Sequence, residues 1–160
     1  MRKFYITKTF RFDAAHRIWI DRENSENDNP YKCENIHGHT FIVEFTFKAD
    51  EIGKKGMVVD TEIIKKIVSD IIEKFDHSLI IHKDDPLRSK IEKIFDKYKI
   101  LVLDVMPTAE GIAFALYQKI KSKMEYSHIN KAKIIKVKVK MTPSIWSEYV
   151  EDKDESKSNG

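Results

Sequence analysis

The chain lacks the features that mark several classes of protein. Cys33 is its single cysteine in 160 residues, which excludes a framework of internal disulfides and is typical of a reducing compartment. No apolar run approaches the roughly 20 residues that cross a bilayer. The first residues follow a strand pattern rather than the pattern of a signal peptide. We therefore expect a cytoplasmic protein without a membrane partner.

An excess of one charge is also missing. The formal net charge is only +3 and the lysines are spread along the chain, so we do not expect nucleic acid as a partner. With 41% hydrophobic residues, a chain of this length can form one domain with a substantial core. We assign residues 1–150 to that domain. Residues 151–160 are charged and contain no apolar residue, so we expect a disordered tail.

Three histidines share one side of the predicted sheet. His37 and His39 are two residues apart at the start of a strand, so both side chains project on the side of Phe41. His16 has the corresponding parity if the strand over residues 4–12 continues that far. Three imidazoles with an open coordination position are typical of a catalytic zinc site. Two hydrogen-bonded histidines at a strand end would give the same short pattern.

The remaining periodicity predicts an α+β domain with helices on one face of an antiparallel sheet. Asp60 and Thr108 are placed to cap two amphipathic helices. Residues 21–31 are polar and predict an exposed, mobile loop. The predicted helices cover 61–75, a short segment after Pro86, and a longer segment after Pro107; the predicted strands cover 4–12, 37–48, 100–105, 133–141 and 145–150.

Five short segments of the sequence carry a further signal, and they are Phe12-Asp13-Ala14-Ala15-His16-Arg17, Cys33-Glu34-Asn35-Ile36-His37-Gly38-His39-Thr40-Phe41, Val59-Asp60, Phe75-Asp76-His77 and Pro107-Thr108-Ala109-Glu110. In this order they resemble the family of 6-pyruvoyltetrahydropterin synthases and 6-carboxytetrahydropterin synthases. The resemblance implies the T-fold (tunnelling fold) and zinc as the cofactor of the three histidines. It also implies a homo-oligomer, in which trimeric barrels stack as hexamers with active sites at subunit interfaces.

The same resemblance implies a zinc-dependent lyase that acts on 7,8-dihydroneopterin triphosphate. The expected product is 6-carboxy-5,6,7,8-tetrahydropterin, or else 6-pyruvoyltetrahydropterin, with loss of triphosphate. In this reading Cys33 is the base, His77 the proton relay and Asp76 the partner that orients His77. A purely structural role, as the cap of a helix C-terminus, is equally open for the Asp76–His77 pair on the residues alone.

Substrate contacts are expected from Thr108, Glu110 and Thr142. Glu34 is an alternative base, because some relatives use an acidic residue near this position to cleave the side chain and release 6-hydroxymethyl-dihydropterin. A solvated loop carboxylate is the plainer interpretation of Glu34. The other two histidines, His82 and His128, match no motif and are interpreted as surface residues.

One position departs from the family pattern. The last inner strand usually carries Lys-Glu-Thr, whose glutamate anchors the pterin, whereas this chain has Lys140-Met141-Thr142. A thioether cannot accept two strong hydrogen bonds from the pterin edge. Glu110 or Glu148 could replace the missing acid. Otherwise the substrate differs, or the protein is a non-catalytic or repurposed T-fold that binds zinc and a pterin. A three-histidine zinc hydrolase that does not need Cys33 also remains open.

Overall fold

The computed structural model describes residues 2–20, 31–127, 129 and 131–151. Residues 21–30 of the predicted loop, His128 and the tail from 152 onwards lie outside these residues. The helices are α1 (Thr61–Phe75), α2 (Arg88–Ile94) and α3 (Ala109–Tyr126), with a short 3₁₀ helix at Lys32–Glu34; the strands are β1 (Phe4–His16), β2 (His37–Ala49), β3 (Leu79–His82), β4 (Ile100–Leu103), β5 (Lys133–Thr142) and β6 (Ile145–Val150). None of these helices is both long and apolar enough to span a membrane.

The six strands form one sheet in the order β4-β3-β1-β2-β5-β6. Pairing is antiparallel from β1 through β2 and β5 to β6, as the hydrophobic alternation indicates. The other edge differs, because β3 pairs with β1 in parallel and β4 pairs with β3 in parallel. The sheet is therefore mixed rather than wholly antiparallel. No strand was predicted at β3, since its apolar run of three residues, Leu79 to Ile81, has no readable period.

Helices α1 and α3 pack on one face of this sheet and against each other. Alternate residues of β1 and β2 face them, and six side chains of α1 are buried in the same core. Asp60 caps α1 by accepting the Glu62 N–H, and Thr108 caps α3 by accepting the Gly111 N–H, as predicted. The α+β expectation is confirmed.

Strand β1 continues past Phe12 to His16, and this extension positions the histidines. In the antiparallel register His16 lies opposite His37, and Ala14 lies opposite His39. All three imidazoles therefore start from neighbouring positions on the helix-covered face, at one end of the sheet.

Candidate metal and catalytic site

Three histidine side chains converge at the end of β1 and β2. One ligand nitrogen from each of His16, His37 and His39 lies within 4.8 Å of the others. The Nε2 atoms of His16 and His37 are 3.0 Å apart. His16 is fully buried, whereas His37 and His39 are partly exposed. These positions allow three nitrogens to share one metal ion and leave its solvent side open.

Backbone carbonyls fix the tautomers of two of these rings. His16 Nδ1 lies 2.6 Å from the carbonyl oxygen of Pro107, just before α3. His37 Nδ1 lies 2.8 Å from the carbonyl oxygen of Asn35. A carbonyl oxygen only accepts hydrogen bonds, so each Nδ1 donates and each Nε2 keeps its lone pair for a metal. The donor set is thus prepared by the backbone around it.

The environment also keeps two of the rings neutral. Burial lowers the pKa of His16 from 6.5 to about 4, against the raising effect of the Pro107 carbonyl, and the other two imidazoles lower it further. Burial and the proximity of His37 lower the pKa of His39 as well. A neutral imidazole is the form that binds metal, so His16 and His39 need not lose a proton at pH 7.

Asp76 and His77 form a hydrogen-bonded pair just beyond α1. His77 Nδ1 donates to Asp76 Oδ2 at 2.7 Å, and the second carboxylate oxygen accepts the Asp13 N–H at 2.9 Å. The His77 N–H in turn donates to the Asp13 carbonyl at 2.6 Å. The bond from the Asp13 N–H to the Asp76 carboxylate is the main cause that lowers the pKa of Asp76. The carboxylate is therefore ionised at neutral pH and holds one ring nitrogen of His77.

Cys33 lies on the 3₁₀ helix, and a backbone bond from Ile18 N–H to its carbonyl oxygen, 2.8 Å long, ties it to the chain beyond β1. Its thiol is partly buried. Hydrogen bonding to Cys33 raises the pKa of the neighbouring Tyr31 phenol. No hydrogen bond in the described part of the chain joins Cys33 to His77. The structure therefore gives the Asp76–His77 contact expected from the sequence, but does not bring the thiol to that pair within one chain.

Two of the expected substrate contacts lie at the start of α3. Thr108 uses its hydroxyl oxygen to accept the Gly111 N–H at 3.2 Å. Glu110 follows in the first turn, where Oε1 accepts from the Ser147 hydroxyl at 2.6 Å. The Ser147 bond, and after it a bond from the backbone N–H of Glu110 itself, lower the pKa of Glu110, so its carboxylate is ionised. Thr108 therefore has a structural role as the cap of α3. Glu110 is a charged acceptor, and the Ser147 hydroxyl binds one of its two carboxylate oxygens.

Thr142 and Glu34 also have local partners. The Thr142 hydroxyl oxygen accepts the Ile145 N–H at 3.1 Å, in the turn that joins β5 and β6. Glu34 Oε2 accepts the Tyr31 N–H at 3.1 Å and so caps the 3₁₀ helix. Glu34 is partly buried rather than a freely solvated loop residue.

The strand register separates the two acids considered as replacements at Met141. Ser147 lies opposite the buried Val139, so Glu110 approaches the helix-covered face that Met141 also contacts. Glu148 lies opposite Lys138 on the other face, and its Oε1 is 3.4 Å from Lys136 Nζ. Glu148 is therefore on the wrong side of the sheet to stand in for an inner residue of β5.

An open cleft of about 710 Å³ is lined by one residue from each of the two groups of site residues. Its lining includes the metal-site residue His39 and the paired His77. The opposite wall comes from the α2–β4 connection and includes Phe95, Tyr98 and Lys99. Sequence reasoning missed this wall, because it carries no periodic or spacing signal that relates it to the histidines.

His82 is not a surface residue as interpreted from the sequence. Its ring stacks at a tilt against Trp19, and Trp19 Nε1 donates to His82 Nδ1 at 3.4 Å. Only 14% of the side chain is exposed. The interpretation was wrong because β3 places His82 at the end of a strand that the sequence did not reveal.

The family comparison agrees with this geometry. The model of the family described as 6-pyruvoyl tetrahydropterin synthase matches residues 5–152. The chain belongs to the 6-pyruvoyl tetrahydropterin synthase family. The match includes both β-strands that carry the three histidines and extends through β6.

Curated relatives and solved structures match most of the chain. A 6-carboxy-5,6,7,8-tetrahydropterin synthase of Aquifex aeolicus is 32% identical over 161 residues, covering 94% of this chain and 99% of the relative. One from Rickettsia conorii is 39% identical over 74% of this chain and 80% of the relative. The structure of the Caenorhabditis elegans 6-pyruvoyl tetrahydropterin synthase aligns with a TM-score of 0.67 at 24% identity, over 95% of this chain and 98% of that one. An uncharacterized protein from Wolinella succinogenes aligns with a TM-score of 0.77 at 23% identity, over 95% and 100%. These structures confirm the T-fold.

Proposed function

We propose that this protein is a zinc-dependent lyase that converts 7,8-dihydroneopterin triphosphate to 6-carboxy-5,6,7,8-tetrahydropterin with loss of triphosphate. Family membership makes it an enzyme of the tetrahydropterin synthase type. The observation that carries the finer assignment is the cleft lined by both His39 and His77. It provides one place where a metal-bound group and a proton-accepting pair can meet the same substrate. 6-Pyruvoyltetrahydropterin is the second candidate product.

The three histidines fit a catalytic zinc ion. His16, His37 and His39 provide three nitrogens within reach of one another. Burial keeps His16 neutral, and the Asn35 carbonyl holds Nδ1 of His37, so that its Nε2 faces the site. The bound ion would act as a Lewis acid that polarises the hydroxyl groups of the substrate side chain. Buried His16 would hold the closed side of the site, while the partly exposed His37 and His39 leave room for the substrate.

Proton transfer is assigned to Cys33, His77 and Asp76. A thiol acts as a base only after it has given its own proton to an acceptor, so the role assigned to Cys33 requires such a group nearby. His77 offers its Nε2 for this purpose, because Nδ1 is held by Asp76 at 2.7 Å. We place Cys33 beside His77 across a subunit interface of a trimer or hexamer, since the described residues contain no contact between them within one chain. The assembly is assigned to the cytoplasm.

Recognition of the pterin is assigned to the start of α3 and the end of β5. Glu110 is the acid placed to accept from the N–H groups of the pterin edge, because its carboxylate is ionised and lies on the face of Met141. Thr108 and Thr142 would contribute hydroxyl or backbone groups at either side. Glu110 thus replaces a strand residue with a helix residue as the anchor.

The decisive assay incubates purified, zinc-loaded protein with 7,8-dihydroneopterin triphosphate and identifies the products by mass spectrometry. A matched Cys33→Ala variant is measured at the same metal content. Formation of carboxy- or pyruvoyl-tetrahydropterin that stops in the variant supports the lyase and selects its product. Turnover that survives Cys33→Ala would instead favour a three-histidine hydrolase.

Met141 favours a second candidate function, a non-catalytic or repurposed T-fold that binds zinc and a pterin-like ligand. A folded, metal-bound protein that binds dihydroneopterin triphosphate without turning it over would support this candidate. The variant Met141→Glu distinguishes weak binding of the pterin from a changed function. If turnover of dihydroneopterin triphosphate rises in this variant, the standard substrate is supported. Release of 6-hydroxymethyl-dihydropterin would assign the base role to Glu34, and Glu34→Gln would then abolish it.

A further inference from the structure

The last turn of α1 ends in carbonyl groups that need partners from outside the helix. In an unbroken helix the His77 N–H would bond to the Glu73 carbonyl, but here it donates to the Asp13 carbonyl at 2.6 Å. The Lys99 ammonium fills this gap. Its Nζ hydrogen-bonds to the Glu73 carbonyl and, at 2.9 Å, to the Asp76 carbonyl.

The chain turns sharply at the position that these bonds surround. His77 has a φ of 55°, in the left-handed region that side chains with a Cβ avoid, and it is the single described residue other than glycine with a positive φ. Such a conformation persists where surrounding contacts hold it. Asp13 holds it from β1, and Lys99 holds it from the residue before β4.

The position of Lys99 allows it to affect the Asp76–His77 pair rather than the fold as a whole. It lines the same cleft as His77, and 40% of its side chain is exposed. Its backbone carbonyl also accepts the Leu79 N–H at 2.9 Å, which fixes Lys99 beside the start of β3. The ammonium is among the charges that lower the pKa of Asp76, after the Asp13 backbone bond and the His77 contacts.

We propose that Lys99 is a positioning residue that holds Asp76 and His77 in their reactive geometry by binding the final carbonyl groups of α1. Its catalytic consequence rests on the function proposed above, whereas its effect on the His77 turn does not. The 3.8 Å approach of Lys99 to the Glu73 carboxylate is an exposed ion pair and contributes little by itself.

The positioning claim is tested by amide hydrogen exchange on Lys99→Met, with Lys97→Met as the matched control. Lys97 is an exposed lysine two residues away on the same connection. We expect the His77 amide to exchange about 10-fold faster in Lys99→Met, while amides of the central strands β1 and β2 keep their rates. Lys99→Arg, which can still donate to both carbonyls, should restore protection. An unchanged His77 rate, or a uniform rise over the whole sheet, overturns the proposal.

Kinetics then test whether the turn matters for the reaction. Lys99→Met should lower kcat by about 10- to 100-fold with KM changed less than about threefold, because displaced reacting groups affect the transition state more than binding. Metal content should stay at the wild-type level. An inactive wild-type protein refutes the proposed function and leaves the exchange result to decide on Lys99. Faster His77 exchange with unchanged kcat refutes the positioning role.

Discussion

Acid should destabilise the metal-free protein through His16. This imidazole is fully buried and its pKa in the folded chain is lowered to about 4. In the unfolded chain its pKa returns to about 6.5. Between these values the unfolded state binds a proton that the folded state does not. The free energy of unfolding therefore falls as the pH is lowered from about 6.5 to 4, and the effect is absent above that window.

The size of the effect follows from the shift. A difference from 6.5 to about 4 corresponds to about 3 kcal/mol at 1.36 kcal/mol per pKa unit. His39, whose pKa is also lowered, changes stability in the same direction. A loss of this size is a large fraction of the 5–15 kcal/mol typical of a folded domain.

Urea unfolding of metal-free protein, followed by circular dichroism from pH 7 to pH 4, measures this loss. His16→Asn is the control, because the asparagine amide can still donate to the Pro107 carbonyl but does not titrate. Carboxylates contribute to both proteins, so the difference between the two curves isolates His16. We expect the wild type to lose about 3 kcal/mol more than the variant. A difference below about 1 kcal/mol would show that His16 is not held neutral by burial.

Three further predictions concern the framework of the site. Asp85→Asn should lower the free energy of unfolding in urea by about 3–5 kcal/mol, because Arg17 would keep a buried charge without its partner. An unfolding curve that coincides with that of the wild type would contradict this. Gly111→Ala should lower the free energy of unfolding by more than about 2 kcal/mol, since the added Cβ would lie 1.9 Å from the Met106 carbonyl oxygen. It should also weaken zinc binding measured by calorimetry, because the next carbonyl, that of Pro107, holds His16. The control for this variant is Gly53→Ala, which has open space around its Cβ and whose free energy of unfolding should stay within about 0.5 kcal/mol of the wild type. Chelation should lower Tm and added zinc should restore it, whereas an unchanged Tm would argue against a metal site.

Local rules predicted much of this fold because they act over short distances. The alternation of β1 and β2 placed His37 and His39 on the core side, and the structure has them there. Asp60 and Thr108 were predicted as caps from their position before apolar periodic segments, and both accept the expected backbone N–H. The prediction of His16 as a third ligand depended on the continuation of β1 as far as His16. The pairing of His16 with His37 in the sheet confirms that continuation.

The parallel edge of the sheet could not be predicted in the same way. Strands β3 and β4 have four residues each, and the pairing of β3 with β1 and of β4 with β3 joins chain segments that are distant in sequence. Contacts that depend on this edge were missed with it. They include the ion pair of Arg17 with Asp85, the contact of His82 with Trp19, and the Lys99 bonds to the end of α1.

The choice between acids at the pterin site shows what register adds to residue type. From the sequence alone Glu110 and Glu148 were equivalent candidates for the acid missing at Met141. A strand residue reverses its face with each step, so the opposition of Ser147 to Val139 assigns Glu148 to the outer face. Glu110 reaches the inner face from a helix whose first turn already favours negative charge. An acid on α3 approaches the pterin from a different direction from one on β5. The choice between the usual substrate and a changed one therefore depends on the position of the carboxylate as well as on its charge. Glu110→Gln, which keeps the shape and removes the charge, should therefore raise KM for the pterin substrate at least about 10-fold and leave zinc content unchanged, whereas an unaltered KM would return the anchor role to groups on β5.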